Sequence, residues 1–228
     1  MIPPIGGWSS DDESRPVLIG LTGPIGCGKS TIAGFLGEIG GVVIDADELA
    51  RAATQRNSPA LPDIRARFGN DVFDESGALD RAALARIVFA DDAALTDLER
   101  IVHPRVRILA EEALSAATRD RAPFAVIEAI KLVEGGLADR CDEVWIVECD
   151  LATQRSRMSG RGASADDIDR RLATQGEGLA ARLAAQLNGR VRVRNVSTEG
   201  SLETVRESVE ELLAEVLDRP LNRAADPT

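Results

Sequence analysis

Five short apolar runs punctuate the chain, at residues 17–22, 42–44, 124–127, 144–147 and 191–195, and between them apolar positions recur at helical spacing. The first run breaks into glycines and then into a stretch whose Ile32, Phe35, Leu36 and Ile39 share one helical face, which predicts strand, loop, helix. Gly40 and Gly41 close that helix before the second run. Runs this short and this continuously apolar suit strands buried on both faces, and strands separated by helices predict a parallel, doubly wound α/β sheet. The fifth run alternates as a last strand with one polar face. Leu202, Val205, Val209, Leu212, Leu213 and Val216 then form the stripe of a closing helix.

Between residues 58 and 118 the strand signal fades and helical patterns take over, which predicts a helical insertion. Leu61, Ile64 and Phe68 share a face, Asp74 to Gly77 reads as a turn, and a longer helix starts at Asp91 or Asp92, with His103-Pro104 expected to interrupt it. Residues 1–15, with prolines, glycines, serines and an acidic cluster, read as a flexible leader, and residues 220–228 as a fraying tail. Residues 154–175 carry Arg155, Arg157, Arg161, Arg170 and Arg171 around Gly160 and Gly162. This predicts a glycine-hinged lid whose arginines repel one another until phosphates arrive, with a solvated pair of charged helices as the alternative.

The chemistry concentrates in the first loop. Gly23, Gly28, Lys29 and Ser30 satisfy G-x-x-x-x-G-K-[ST], in which successive backbone N–H groups turn inward around a polyphosphate and the following helix presents its positive end. Gly23, Pro24, Ile25, Gly26, Cys27, Gly28, Lys29, Ser30 and Thr31 are the expected contacts to ATP or GTP, with Lys29 on the β and γ phosphates and Ser30 as a ligand of Mg²⁺. Asp45 and Asp47 follow the second strand, where ligands gather in a parallel sheet. For Asp45 two readings stand level, a place near the phosphate loop or a cap on a helix over residues 48–53. His103, the one histidine, reads on its own as structural.

At 228 residues the chain has room for one α/β domain with an inserted subdomain. A net charge of −11 argues against a nucleic-acid surface, and no apolar run is long enough for a membrane helix. Cys27, Cys141 and Cys149 lack metal-ligand spacing and follow no signal-peptide pattern, so the expectation is a reducing cytoplasm with Cys27 as a small filler.

Five segments together resemble the dephospho-CoA kinase family: Ile19-Gly-Leu-Thr-Gly-x-Ile-Gly-x-Gly-Lys-Ser, Ile44-Asp-Ala-Asp-x-x-Ala-Arg51, Phe68-Gly, Gly77-x-Leu-Asp-Arg81 and Leu98-Glu-x-Ile-Val-His-Pro104. The resemblance spans residues 17–217. It implies a three-layer α/β/α P-loop kinase fold with a five-stranded parallel sheet, a helical CoA-binding insertion and a lid. It further implies ATP and Mg²⁺, and phosphoryl transfer to the ribose 3′-hydroxyl of dephospho-CoA. By the same resemblance Asp47 is the base, Arg157 and Arg161 are the lid arginines, and Arg51, Asp80, Arg81 and His103 belong to the acceptor side.

The chain departs from the family pattern at Glu128-Ala-Ile-Lys-Leu-Val-Glu134, which places Lys131 in an apolar slot, and at Arg194-Asn195. The first departure supports a rival reading, a kinase for another acceptor. A nucleotide-binding regulator is a second rival, since Asp74 to Gly77 matches D-x-x-G, but N-K-x-D is missing.

Overall fold

The structure, a computed structural model, describes residues 15–176 and 178–219, so most of the expected leader and the whole tail lie outside the described residues. The chain divides into two compact units. One holds residues 45–115, the other residues 15–44 and 116–219.

The larger unit is built on a five-stranded sheet in the order β2-β3-β1-β4-β5, comprising β1 (Val17–Thr22), β2 (Val42–Asp45), β3 (Phe124–Glu128), β4 (Glu143–Glu148) and β5 (Arg192–Ser197). β1 runs parallel to β3 and β4, and β4 parallel to β5. Parallel neighbours need crossovers: α1 (Lys29–Glu38) links β1 to β2, and α6 (Leu151–Gly160), α7 (Ala165–Gln175) and α8 (Leu179–Leu187) link β4 to β5, while α9 (Leu202–Leu217) follows the last strand. The core gathers Ile19, Leu21, Ile32, Leu36, Phe124, Val126, Trp145 and Val147 with Val205, Val209, Leu213 and Val216 of α9. Leu202, expected in that stripe, is 67% exposed because it stands in the first turn, next to the Ser201 cap.

Arg15 is not part of a loose leader. Its guanidinium forms a bidentate pair with Asp142 at 2.7 and 2.6 Å, and the same carboxylate accepts from the Leu18 amide, so β1 is pinned at its start. Arg194 is structural too. It joins Glu143 at 2.7 Å and Glu215 at 2.8 Å, while Glu143 also accepts from the Trp145 indole, tying β4, β5 and α9 together.

The smaller unit holds α2 (Ala46–Ala52), α3 (Leu61–Phe68), α4 (Arg81–Val88) and most of α5 (Asp92–Arg119). Asp91 caps α5 by accepting from Ala93. The expected interruption at His103-Pro104 is absent: the helix runs on through Pro104 for 28 residues. The proline removes one intrahelical bond, but Val102, Val106, Ala110, Leu114 and Ala117 keep a continuous buried face on both sides of it, and that packing outweighs the local cost. The Asp74 turn is filled from within. Its Oδ1 accepts from the Ser76 hydroxyl, the Ala78 amide and the Ser76 amide, bonds that hold its carboxyl below the usual range, and Phe73 bridges Leu79 across it. A D-x-x-G sequence used this way is a structural turn rather than a nucleotide switch.

No helix among the described residues is long and apolar enough to cross a membrane.

Candidate active site

β1 ends at Thr22 and the chain turns through Gly23, Gly26 and Gly28, all at positive φ, before α1 begins at Lys29. Gly23 is obligatory on two counts: its φ is 136°, and a Cβ there would lie 2.1 Å from the Val147 carbonyl of β4. The buried N–H groups of Gly26 and Gly28 have no acceptor among the described residues. Unpaired buried donors are rare, and two within one glycine loop at a helix start fit an anion carrying several acceptor oxygens. Lys29 is buried, with its ammonium 2.9 Å from the Gly23 carbonyl and 3.0 Å from that of Pro24. Ser30, next in the first turn, is exposed, and its hydroxyl has no hydrogen-bond partner among the described residues.

Around this loop stand side chains that sequence reasoning missed. Thr198, just past β5 and buried, donates from its hydroxyl to the Cys27 carbonyl at 2.7 Å and accepts there from Arg157 at 2.7 Å. A second Arg157 nitrogen reaches the Thr198 carbonyl at 2.8 Å, and a Cβ on Gly28 would lie 3.4 Å from the guanidinium. Arg157 is therefore fastened against the loop. Gln154, one turn earlier on α6, donates to the Ile25 carbonyl at 2.6 Å, and Gln175, the last residue of α7, accepts from the Ile25 amide at 3.0 Å. The only sequence signal for these residues was position: Thr198 follows a parallel strand, and Gln154 shares a helical face with Arg157.

α6 and α7 form the expected arginine segment, with the break between them at Gly162, φ 85°. The expectation of mutually repelling arginines is corrected. Arg155 pairs with Asp169 at 2.6 Å, and Arg170 and Arg171 both pair with Asp167. Arg161 differs: it is exposed, its guanidinium has no acceptor among the described residues, and it lines a cavity of about 310 Å³ with Ile25, Gly26, Asp167 and Arg171.

In the smaller unit, Asp45 is settled as a helix cap: its Oδ1 accepts from the amides of Asp47 at 2.7 Å and Glu48 at 3.2 Å, which starts α2 at Ala46. Asp47 is exposed in the first turn of α2. Asp80 caps α4 in the same way, accepting from Ala82 and Ala83 at 2.9 Å. Arg81 donates to the Arg51 carbonyl at 2.8 Å, which brings two arginines together at the end of α2. His103 lies half-buried on α5. In the larger unit, Lys131 is exposed rather than set in an apolar slot, because residues 130–136 form turns in which Leu132 takes a buried position, next to buried Ala129.

Cys27 and Cys149 are joined by a disulfide, with Cα atoms 5.2 Å apart and 122 residues between them in sequence. This corrects the reading of Cys27 as a filler. The two residues meet because β1 and β4 pair in register, Thr22 opposite Ile146, so the segments leaving their carboxyl ends run side by side. Cys141 is the free thiol, buried, and burial beside Asp142 and Asp139 pushes its pKa far up. Alkylation in denaturant should therefore modify one cysteine in protein kept from reductant and three after reduction; three in both would show that the pairing does not form in solution.

The family model for dephospho-CoA kinase matches residues 17–188. The dephospho-CoA kinase of Geobacter sulfurreducens is 46% identical over 159 residues, covering 69% of this chain and 81% of that protein. TT1252 from Thermus thermophilus superimposes with a TM-score of 0.71 at 34% identity, covering 89% of this chain and 98% of its own. A dephospho-CoA kinase from Campylobacter jejuni shares the fold at a TM-score of 0.60 and 22% identity, over 87% of this chain and 96% of its own. With the phosphate loop in place and three quarters of the sequence within the family's bounds, the chain belongs to the dephospho-CoA kinase family, the kinases of coenzyme A biosynthesis.

Proposed function

We propose that the chain transfers the γ-phosphoryl group of ATP to the ribose 3′-hydroxyl of dephospho-CoA, giving CoA and ADP. The observation that carries this reading is the loop itself, two buried N–H groups without an acceptor among the described residues and a buried lysine at the start of α1. Lys29 exchanges the Gly23 and Pro24 carbonyls for phosphate oxygens. The N–H groups of Gly26 and Gly28 hold further oxygens, and Arg161 adds charge from the segment 154–175, which acts as the lid. Arg157, anchored on Thr198, keeps its guanidinium against the loop. Ser30, whose hydroxyl is exposed in the first turn of α1, would hold Mg²⁺, and the metal would supply positive charge to the phosphates.

Asp47 accepts the proton of the attacking hydroxyl. The helical part of the chain, residues 58–118 with Arg51 before it, holds the acceptor. Arg51 and Arg81, adjacent at the end of α2, suit the acceptor's phosphates. Asp80 orders that region through its cap, and His103 completes it from α5. The cytoplasm is the proposed location, where the Cys27–Cys149 pair would be held as thiols.

A screen of hydroxyl acceptors with ATP and Mg²⁺ tests the proposal. Dephospho-CoA should be converted to CoA, with the new phosphate on the ribose 3′ position by mass, and AMP, adenosine and shikimate should be used far less efficiently. Binding energy from the remote pantetheine arm is expressed partly in the transition state, so a truncated acceptor should lose kcat as well as raise KM. Inert dephospho-CoA beside another phosphorylated alcohol would establish the rival acceptor, and exposed Lys131 would be the first residue to exchange.

A further inference from the structure

The Ile25 peptide is gripped from both sides, and the two grips are chemically unlike. Gln154, buried on α6, gives an N–H to the Ile25 carbonyl at 2.6 Å; Gln175, half-buried at the end of α7, offers a carbonyl oxygen to the Ile25 amide at 3.0 Å. Both glutamines also line a cavity of about 710 Å³ that reaches Pro24 and Cys149. We propose that both are positioning residues for phosphoryl transfer, Gln154 a fixed anchor of the loop and Gln175 an exchangeable acceptor that a phosphate oxygen of the nucleotide displaces.

The asymmetry follows from what a phosphate can replace. It carries acceptors only, so it can take over the Ile25 N–H from Gln175 but cannot serve the Ile25 carbonyl in place of Gln154. It also wins the exchange, because a hydrogen bond to an ionised oxygen is about twice as strong as one to a neutral amide. Gln175 can leave at little cost: it ends α7, and Gly176 follows at φ 68°. Once Gln175 lets go, α7 with Asp167, Arg170 and Arg171 loses this tie to the loop, so nucleotide occupancy is communicated to the arginine segment through one side chain.

This rests on the loop being the nucleotide site, and calorimetric binding of the β,γ-imido analogue of ATP to wild-type protein checks that first; no binding there removes the functional reading and this inference with it. With wild-type binding in hand, Gln175→Met, which keeps the length and removes the competing acceptor, should tighten the analogue by about 2- to 10-fold, the worth of one neutral hydrogen bond. Gln175→Glu, which holds the amide harder and adds like charge, should weaken it. Gln154→Met should weaken binding and lower kcat. In wild-type protein the Ile25 amide should exchange slowly without nucleotide; in Gln175→Met it should exchange fast until the analogue is added. Variants at Gln175 that both weaken binding, or both leave it unchanged, at wild-type melting temperature would overturn the proposal, since a merely structural tie cannot give opposite signs.

Discussion

Lys29→Ala is expected to lower kcat by about 10²- to 10³-fold, the loss seen when one preorganised donor is removed from a developing charge. The side chain is 7% exposed, and its ammonium is held between the carbonyls of Gly23 and Pro24. Those bonds keep a desolvated cation inside the loop with little freedom, so exchanging two carbonyls for phosphate oxygens costs little reorganisation. Alanine removes the charge and also frees both carbonyls, which weakens the loop. The measurement therefore pairs kcat with a melting curve and with nucleotide affinity. A folded variant with wild-type turnover would mean that Lys29 never touches the transferred group. Lys29→Arg should not restore activity, because a planar fork cannot occupy the pocket of a compact ammonium.

What could be read from the sequence was local, and what could not was pairing at a distance. The strands were legible because parallel strands buried on both faces must be continuously apolar, and the loop because its glycines, lysine and serine stand within a few residues. Pro104 misled, since a local rule about helix breaking took no account of the buried face running from Val102 to Ala117. α8 was not expected, although Leu183 and Leu187 sit four apart on its buried face. The arginine segment was found by composition, but its charge state as a group depended on Asp167 and Asp169, whose partners only the packing of α6 against α7 selects. Gln154 and Thr198 carried no signal beyond position, and Gln175 none. A glutamine becomes part of a site only when a backbone from elsewhere arrives beside it, as Ile25 does across 129 and 150 residues. The Cys27–Cys149 pair is the same case in covalent form.

Asp47→Asn should lower kcat by about 10²- to 10⁴-fold with nucleotide affinity nearly unchanged, the signature of a lost general base rather than a lost ligand. Asparagine keeps the shape and still occupies the first turn of α2, so the helix survives while proton acceptance does not. The informative control is its neighbour. Asp45 spends its Oδ1 on the amides of Asp47 and Glu48, work that an asparagine carbonyl does equally well, so Asp45→Asn should leave turnover within a few-fold of wild type. Asp45→Ala removes the acceptor, and should cost about 1 kcal/mol of stability, shifting the melting temperature without a matching loss of kcat at a temperature where the protein is folded. The two carboxylates are thus separated by what each can lose. If Asp45→Asn silenced the reaction while Asp47→Asn did not, the base would be the capping residue, and Asp47 would be an acidic residue favouring the positive end of α2 and nothing more.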